Sequence, residues 1–299
     1  NKCKIVFDQE EHQFCPGCGS KTHIYNFQDS DERLKQEAAE TKELRRKTGL
    51  EGLTGRLEAL IINTELDKQQ AAVKELLRYT GLKVDDVFED AHFQTCVLKT
   101  ADSADFLVRS RKKGSNPFRV FNDGLKSHIL PNTRLETFVF HTTDLKEYVQ
   151  LKKSQGIGFL SDSIMETDHY CFIQTLPSAF TGLSYGFVQW KGEERNYRKA
   201  ECQSLDWNLQ KPDYSYLRNI KWIDHAAIRV RAENRDDAIL EFMKLTNYDF
   251  EFAIYVKQLN SITNVARVSD KDFAMVFTSG IKKYEDAGSK YHNQCCPSI

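Results

Sequence analysis

Apolar residues along this chain fall into runs of two periods, and the way those runs alternate predicts its elements. Three stretches share one pattern: an apolar strand of about eight residues, an acidic or Thr/Asn turn, then an amphipathic helix. They are RLEALIINTELDKQQAAVKELLRYTGLKV from Arg56, RLETFVFHTTDLKEYVQLKKSQGIGFL from Arg134 and WIDHAAIRVRAENRDDAILEFMKLTNYDF from Trp222. Ala72, Val73, Leu76 and Leu77 in the first helix, and Ala238, Ile239, Phe242 and Met243 in the third, lie at helical spacing with charges opposite. Each helix should therefore cover one side of a sheet. Behind the helices come HFQTCVLKT and ADFLVRSRK, then HYCFIQTL and SYGFVQWKG, then FEFAIYVK, ITNVARVS and FAMVFTSGI, all with strand character. A spacing of about 80 residues marks a duplicated supersecondary unit rather than a short-period solenoid. The predicted fold class is α+β: tandem βαβββ modules forming curled half-barrels. Two such modules in a pair enclose concave apolar volume, where a ligand or metal would sit.

The chain divides into residues 1–27, rich in cysteine; 28–55, a charged helical linker; 56–200, two paired modules; and 201–299, a third module. Within the linker, DSDERLKQEAAETKELRRKT is expected to be a solvated helix, and Gly49, Gly52 and Gly55 break it. At 40% hydrophobic residues the chain can bury a core, and its net charge of -1 gives no reason to expect nucleic acid or anionic lipid as partner. No apolar run approaches the roughly 18–20 residues of a membrane span, and no secretory signal pattern is seen. The expectation is a cytoplasmic chain in which the eight cysteines are reduced. RSRKKG, Arg109 to Gly114, reads as a solvated strand end rather than a nucleic-acid patch. No phosphate loop, GxSxG or HExxH occurs.

FCPGCGSK holds Cys15 and Cys18 in the knuckle spacing that binds zinc through two thiolates. Cys3 is a third candidate ligand, with His12, His23, Cys295 or Cys296 as the fourth of a structural zinc site. A reduced surface turn or a redox dithiol are the alternatives, the latter weakened by the absence of a βαβ context.

DHAAIRV, from Asp224, and LNSITNVARVSDKDFAMVFTSGI, from Leu259, carry a resemblance to the vicinal oxygen chelate superfamily, and within it to 4-hydroxyphenylpyruvate dioxygenase and its relatives. That family is built from four modules paired into two barrels; the resemblance covers about residues 56 to 282, or three modules. It implies a non-haem Fe(II) dioxygenase that takes a small α-keto acid and O2. His225 would be one iron ligand, and Asn260, Ser261 and Ser279 would lie near the substrate. Ser279 stands where the family has asparagine, which puts the family's usual substrate in doubt. The remaining histidine and carboxylate belong to a fourth module, and after Ile281 the text reads KKYEDAGSKYHNQCCPSI. Three readings stay open: a fourth module outside this sequence, pairing of the third module with its copy in a homo-oligomer, or loss of the site; the first is preferred, because an unpaired third module would expose an apolar sheet face.

Ala59 and Thr137 align with His225 and are not metal ligands, so the first barrel is expected to be structural only. His141 reads as a turn or surface histidine. By spacing alone a histidine beside an aspartate at a strand start is more often structural than ligating, and the repeat context with the resemblance turns the reading of His225 to ligand; Asp224 itself should point to the other face. Of Phe252, Tyr255, Phe273 and Phe277, most are expected in the core. Two other functions stay open: a metal-free small-molecule-binding protein, and another metal-dependent enzyme of the superfamily, such as a ring-cleaving dioxygenase or a lyase.

Overall fold

The two periodicities resolve into two sheets in the computed structural model, which describes residues 29–101, 103–122, 129–256, 261–269, 272–280 and 296–297. Helix α1 (Asp29–Thr48) comes first. The first module is β1 (Thr54–Thr64), α2 (Gln69–Tyr79), β2 (Lys83–Glu89), β3 (Phe93–Lys99) and β4 (Asp105–Arg111). The second is β5 (Arg134–Thr142), α3 (Leu145–Ser154), β6 (Met165–Glu166), β7 (Tyr170–Gln174) and β8 (Ser184–Trp190). A short strand, β9 (Gln203–Ser204), precedes the third module: β10 (His225–Arg229), α4 (Arg235–Leu245), β11 (Asp249–Val256), β12 (Ser261–Arg267) and β13 (Ala274–Gly280). The last strand is β14 (Cys296–Pro297).

Each module pairs its first strand in parallel with its last: β1 with β4, β5 with β8, β10 with β13. Parallel neighbours need a long crossover, and the helix supplies it. Only the second of the three turns supplies a side-chain cap: Asp144 accepts the Glu147 amide at 2.9 Å to start α3, while α2 and α4 begin without one. Modules one and two join edge to edge where β1 runs antiparallel to β5. The result is one open nine-stranded sheet, β6-β7-β8-β5-β1-β4-β3-β2-β9, with no closed barrel. The third module forms a second sheet, β11-β12-β13-β10-β14.

The main core lies between the helix-bearing backs of the two sheets. Tyr148 of α3 packs on Phe187 at 4.2 Å between ring centroids. Phe140 of β5 meets Phe242 of α4 at 5.6 Å and Tyr248 at 5.4 Å, and Phe242 reaches Phe277 of β13 at 5.8 Å. Tyr255 and Phe277 are buried, as expected for strand aromatics. No helix among the described residues is long and apolar enough to cross a membrane.

Helix α1 corrects the expectation of a solvated helix. Leu34, Ala38, Thr41 and Arg45 form a buried stripe along it, too thin to stand out among so many charges. Arg45 donates to the carbonyls of Met243, Thr246 and Tyr248 at 3.3, 3.0 and 2.6 Å. From α3, Tyr148 and Lys152 donate to the carbonyls of Leu245 and Lys244 at 2.9 and 2.6 Å. The carbonyls that the end of α4 leaves without intrahelical partners are thus held by side chains of two other helices.

Candidate functional site

Strand alternation fixes which side chains line the hollow of the first sheet. On β4 the residues facing away from the helices are Asp105, Leu107, Arg109 and Arg111. Leu107, Arg109 and Arg111 contribute to a cavity of about 350 Å³ between the first two modules, walled by Phe88, Phe93, Phe118, Tyr170 and Phe172. That volume is at the small end of the roughly 300–1,000 Å³ usual for small-molecule sites.

Arg109 and Arg111 overturn the reading of RSRKKG as a solvated strand end. Arg111 is nearly buried and donates from Nη1 and Nη2 to the two oxygens of Glu136 on β5, both at 3.1 Å. Arg109 lies over the Phe93 ring at 4.0 Å. Only Lys112, paired with Glu89 at 2.7 Å, and the exposed Lys113 fit the expectation. Burial pushes the Glu136 carboxyl up and the Arg109 guanidinium down from their ordinary values. Arg111 opposes the first shift, and Glu136 opposes the second. Lys199 holds Asp90 at 2.9 Å, while the amides of His92 and Phe93 donate to its other oxygen at 2.7 and 2.8 Å. Burial works against the Asp90 charge, but these donors keep its pKa below the usual value.

A second polar group closes the other end of the β4 row. Tyr197 donates to Asp105 Oδ2 at 2.8 Å, and Arg195 stands 3.3 Å from Oδ1. Glu58 accepts from Trp190 Nε1 at 3.2 Å and from Arg56 at 2.9 Å. Burial pushes the Asp105 carboxyl up to about 6, against the pull of Arg195 and Tyr197. Ala59 pairs in register with Asp105 and is fully buried, and Thr137 lines the cavity.

In the third module His225 pairs with Ala274, so His225, Ala227 and Arg229 share a face with Ala274, Val276 and Thr278. That face, turned away from α4, is apolar: Val265, Ala274 and Val276 cluster there with Ala227, Phe252 and Ile254. The His225 side chain is 56% exposed, and its Nδ1 lies 2.9 Å from Asp224 Oδ2. Among the described residues Nε2 has no partner. Ser261 belongs to the same face, its hydroxyl 3.4 Å from Thr278 Oγ1. It pairs, however, with Gly280 at the far end of β13. Ala274 and Gly280 are separated by about 20 Å of extended strand, so His225 and Ser261 are not brought together.

Ser279 lies on the opposite face. It pairs with Ile262, is fully buried against α4, donates to the Gly280 carbonyl at 2.9 Å and accepts from Arg235 at 3.4 Å. One residue of strand parity decides this: the hydroxyl facing away from the helix is that of Thr278. Asn260, Cys3, Cys15 and Cys18 lie outside the described residues. Among the described residues no three His, Cys, Asp or Glu side chains come together in a way that could hold a metal ion. The polar lining of the first hollow was missed in the sequence; alternate charges at Asp105, Arg109 and Arg111 on a predicted strand were the available signal.

The chain matches no family model and no curated protein sequence. Its folding pattern does match solved structures. A variant of 4-hydroxymandelate synthase from Streptomyces coelicolor superposes with a TM-score of 0.51 at 8% identity, over 76% of this chain and 63% of that one. Methylmalonyl-CoA epimerase from Mycobacterium tuberculosis gives a TM-score of 0.38 at 13% identity, over 46% of this chain and 90% of that one. Mixed α+β modules joined edge to edge define the class, and the match to the synthase makes it specific. This chain has the vicinal oxygen chelate fold. It spans less than two thirds of the synthase's length.

Proposed function

We propose that the chain is part of a non-haem Fe(II) dioxygenase acting on an α-keto acid, with His225 as one iron ligand. The observation that carries this reading is the Asp224–His225 pair. A carboxylate on Nδ1 fixes the tautomer and leaves Nε2 as the donor atom, the usual arrangement behind a metal-bound imidazole. The fold shared with 4-hydroxymandelate synthase supports the same reading.

One imidazole does not make an iron site, and the described residues do not complete one. On this proposal the other ligands lie outside the described residues or on another chain. Among the described residues Ser261, Thr263 and Thr278 carry the hydroxyls of the His225 face, and Asn260, which precedes Ser261, is assigned with Ser261 to the proposed substrate region; Ser279 is left out because it faces α4. Cys3, Cys15 and Cys18 are proposed as thiolate ligands of a separate structural zinc.

Elemental analysis of the anaerobically purified natural full-length protein tests the assignment, alongside His225→Ala and with oxygen uptake on aromatic and aliphatic α-keto acids. The expected result is iron near one per chain, lost in the variant, and keto-acid-dependent oxygen consumption. Zinc alone, unchanged by His225→Ala, would refute the iron reading and leave the metal to the Cys15/Cys18 knuckle.

A further inference from the structure

We propose that the cavity between the first two modules binds a small organic monocarboxylate with an aromatic or other apolar body, anchored by Arg109. Charge pairing leads to this. Of the ionic groups in the cavity wall, Glu136 is taken by Arg111 through two parallel bonds, and Asp90 by Lys199. Two cations are left over, the exposed Lys113 at the mouth and Arg109, and only Arg109 is drawn into the wall. It is half-buried, and among the described residues no carboxylate or carbonyl lies within bonding distance of it.

Two buried arginines of this chain each find several partners. Arg45 holds three carbonyls and Asp249; Arg134 holds the carbonyls of Phe118 and Gly182 and the side chain of Asn122. A guanidinium withdrawn from water without such partners is costly unless a ligand supplies them. Stacking on Phe93 fixes the plane of the Arg109 fork, which suits a carboxylate accepting two parallel N–H bonds.

The rest of the wall narrows the ligand. Phe88, Phe118, Tyr170 and Phe172 offer apolar and aromatic surface to its body. Arg109 offers one unpaired fork against a largely apolar wall, so a single carboxylate on an apolar body is favoured over a phosphate dianion, whose further oxygens that wall would leave without donors. This site is on the first sheet and His225 on the second, so the inference stands apart from the iron reading.

Calorimetric titration of the full chain with 3-phenylpropionate, indole-3-acetate and hexanoate tests it, with 3-phenylpropanol and inorganic phosphate as controls. At least one acid should bind at one per chain, with the neutral alcohol and phosphate weaker by about tenfold or more. Arg109→Gln should weaken the acid about ten- to hundredfold, and Arg109→Lys, which keeps the charge but loses the fork, by less. His225→Ala should bind the acid as the unmodified chain does. Thermal melting of each variant separates lost binding from lost folding, and Arg109→Lys keeps the test alive if Arg109→Gln melts early. Failure of all three acids to bind, equal binding by a folded Arg109→Gln, or tighter binding of phosphate would overturn the proposal.

Discussion

The last strands of the first and third modules occupy the same place in their sheets, parallel to the strand that opens the module, yet the faces they turn away from the helices differ in kind. On β4 the row reads Asp105, Leu107, Arg109, Arg111; on β13 it reads Ala274, Val276, Thr278. The charged row faces a hollow that a second module completes, and Glu136 on β5 of that module supplies the counter-ion for Arg111. Among the described residues no second module joins the sheet that carries the apolar row. One topology thus carries two chemistries. In the first hollow Arg111 and Glu136 neutralise each other across the seam, while the described face of the third module is largely apolar, with a histidine at its rim.

The seam is the place to break this comparison. Arg111→Met leaves Glu136 buried and unpaired and should cost about 3–5 kcal/mol in urea unfolding, while adding Glu136→Leu should recover most of it. A loss below about 1 kcal/mol in the single variant would show that the pair is not desolvated.

Asp105 sharpens the comparison through pH. Its folded pKa of about 6 lies above the ordinary carboxylate value. Its contribution is therefore fully present below the unfolded pKa of about 4 and is lost as pH rises through about 6. The unmodified chain should lose about 2–3 kcal/mol from this group between pH 4 and 7. Asp105→Asn should remove that slope from the pH profile of denaturant stability; an unchanged slope would assign it elsewhere.

Smaller effects are expected around the third module. Arg45→Met removes the carbonyl contacts at the end of α4 and should cost about 1–3 kcal/mol, with faster amide exchange in the residues that follow the helix. Ser279→Ala, at a buried hydrogen-bonded hydroxyl, should cost about 1 kcal/mol. His225→Ala should change stability by less than about 0.5 kcal/mol, because the ring is exposed and its only described partner is its neighbour. A large loss on His225→Ala would make the histidine structural and end its candidacy as a ligand.

The modules were legible because strand and helix periods alternate three times, a signal that survives without any knowledge of contacts. What escaped was set across modules or by a single step of register. The run at Arg109 looked solvated because its counter-ion, Glu136, comes from another repeat. Arg45 looked like one more surface charge, although the carbonyls it meets lie some two hundred residues away. Ser279 was chosen where strand parity presents Thr278, since sequence likeness does not fix which of two adjacent hydroxyls faces forward.

Separate roles for the two faces can be located directly. Crystals of the full chain soaked with 3-(4-bromophenyl)propionate would show the bromine by anomalous scattering. The account predicts one peak among Phe88, Phe118 and Phe172, with the carboxylate on Arg109 and nothing near His225. A peak on the His225 face, with the first hollow empty, would contradict it.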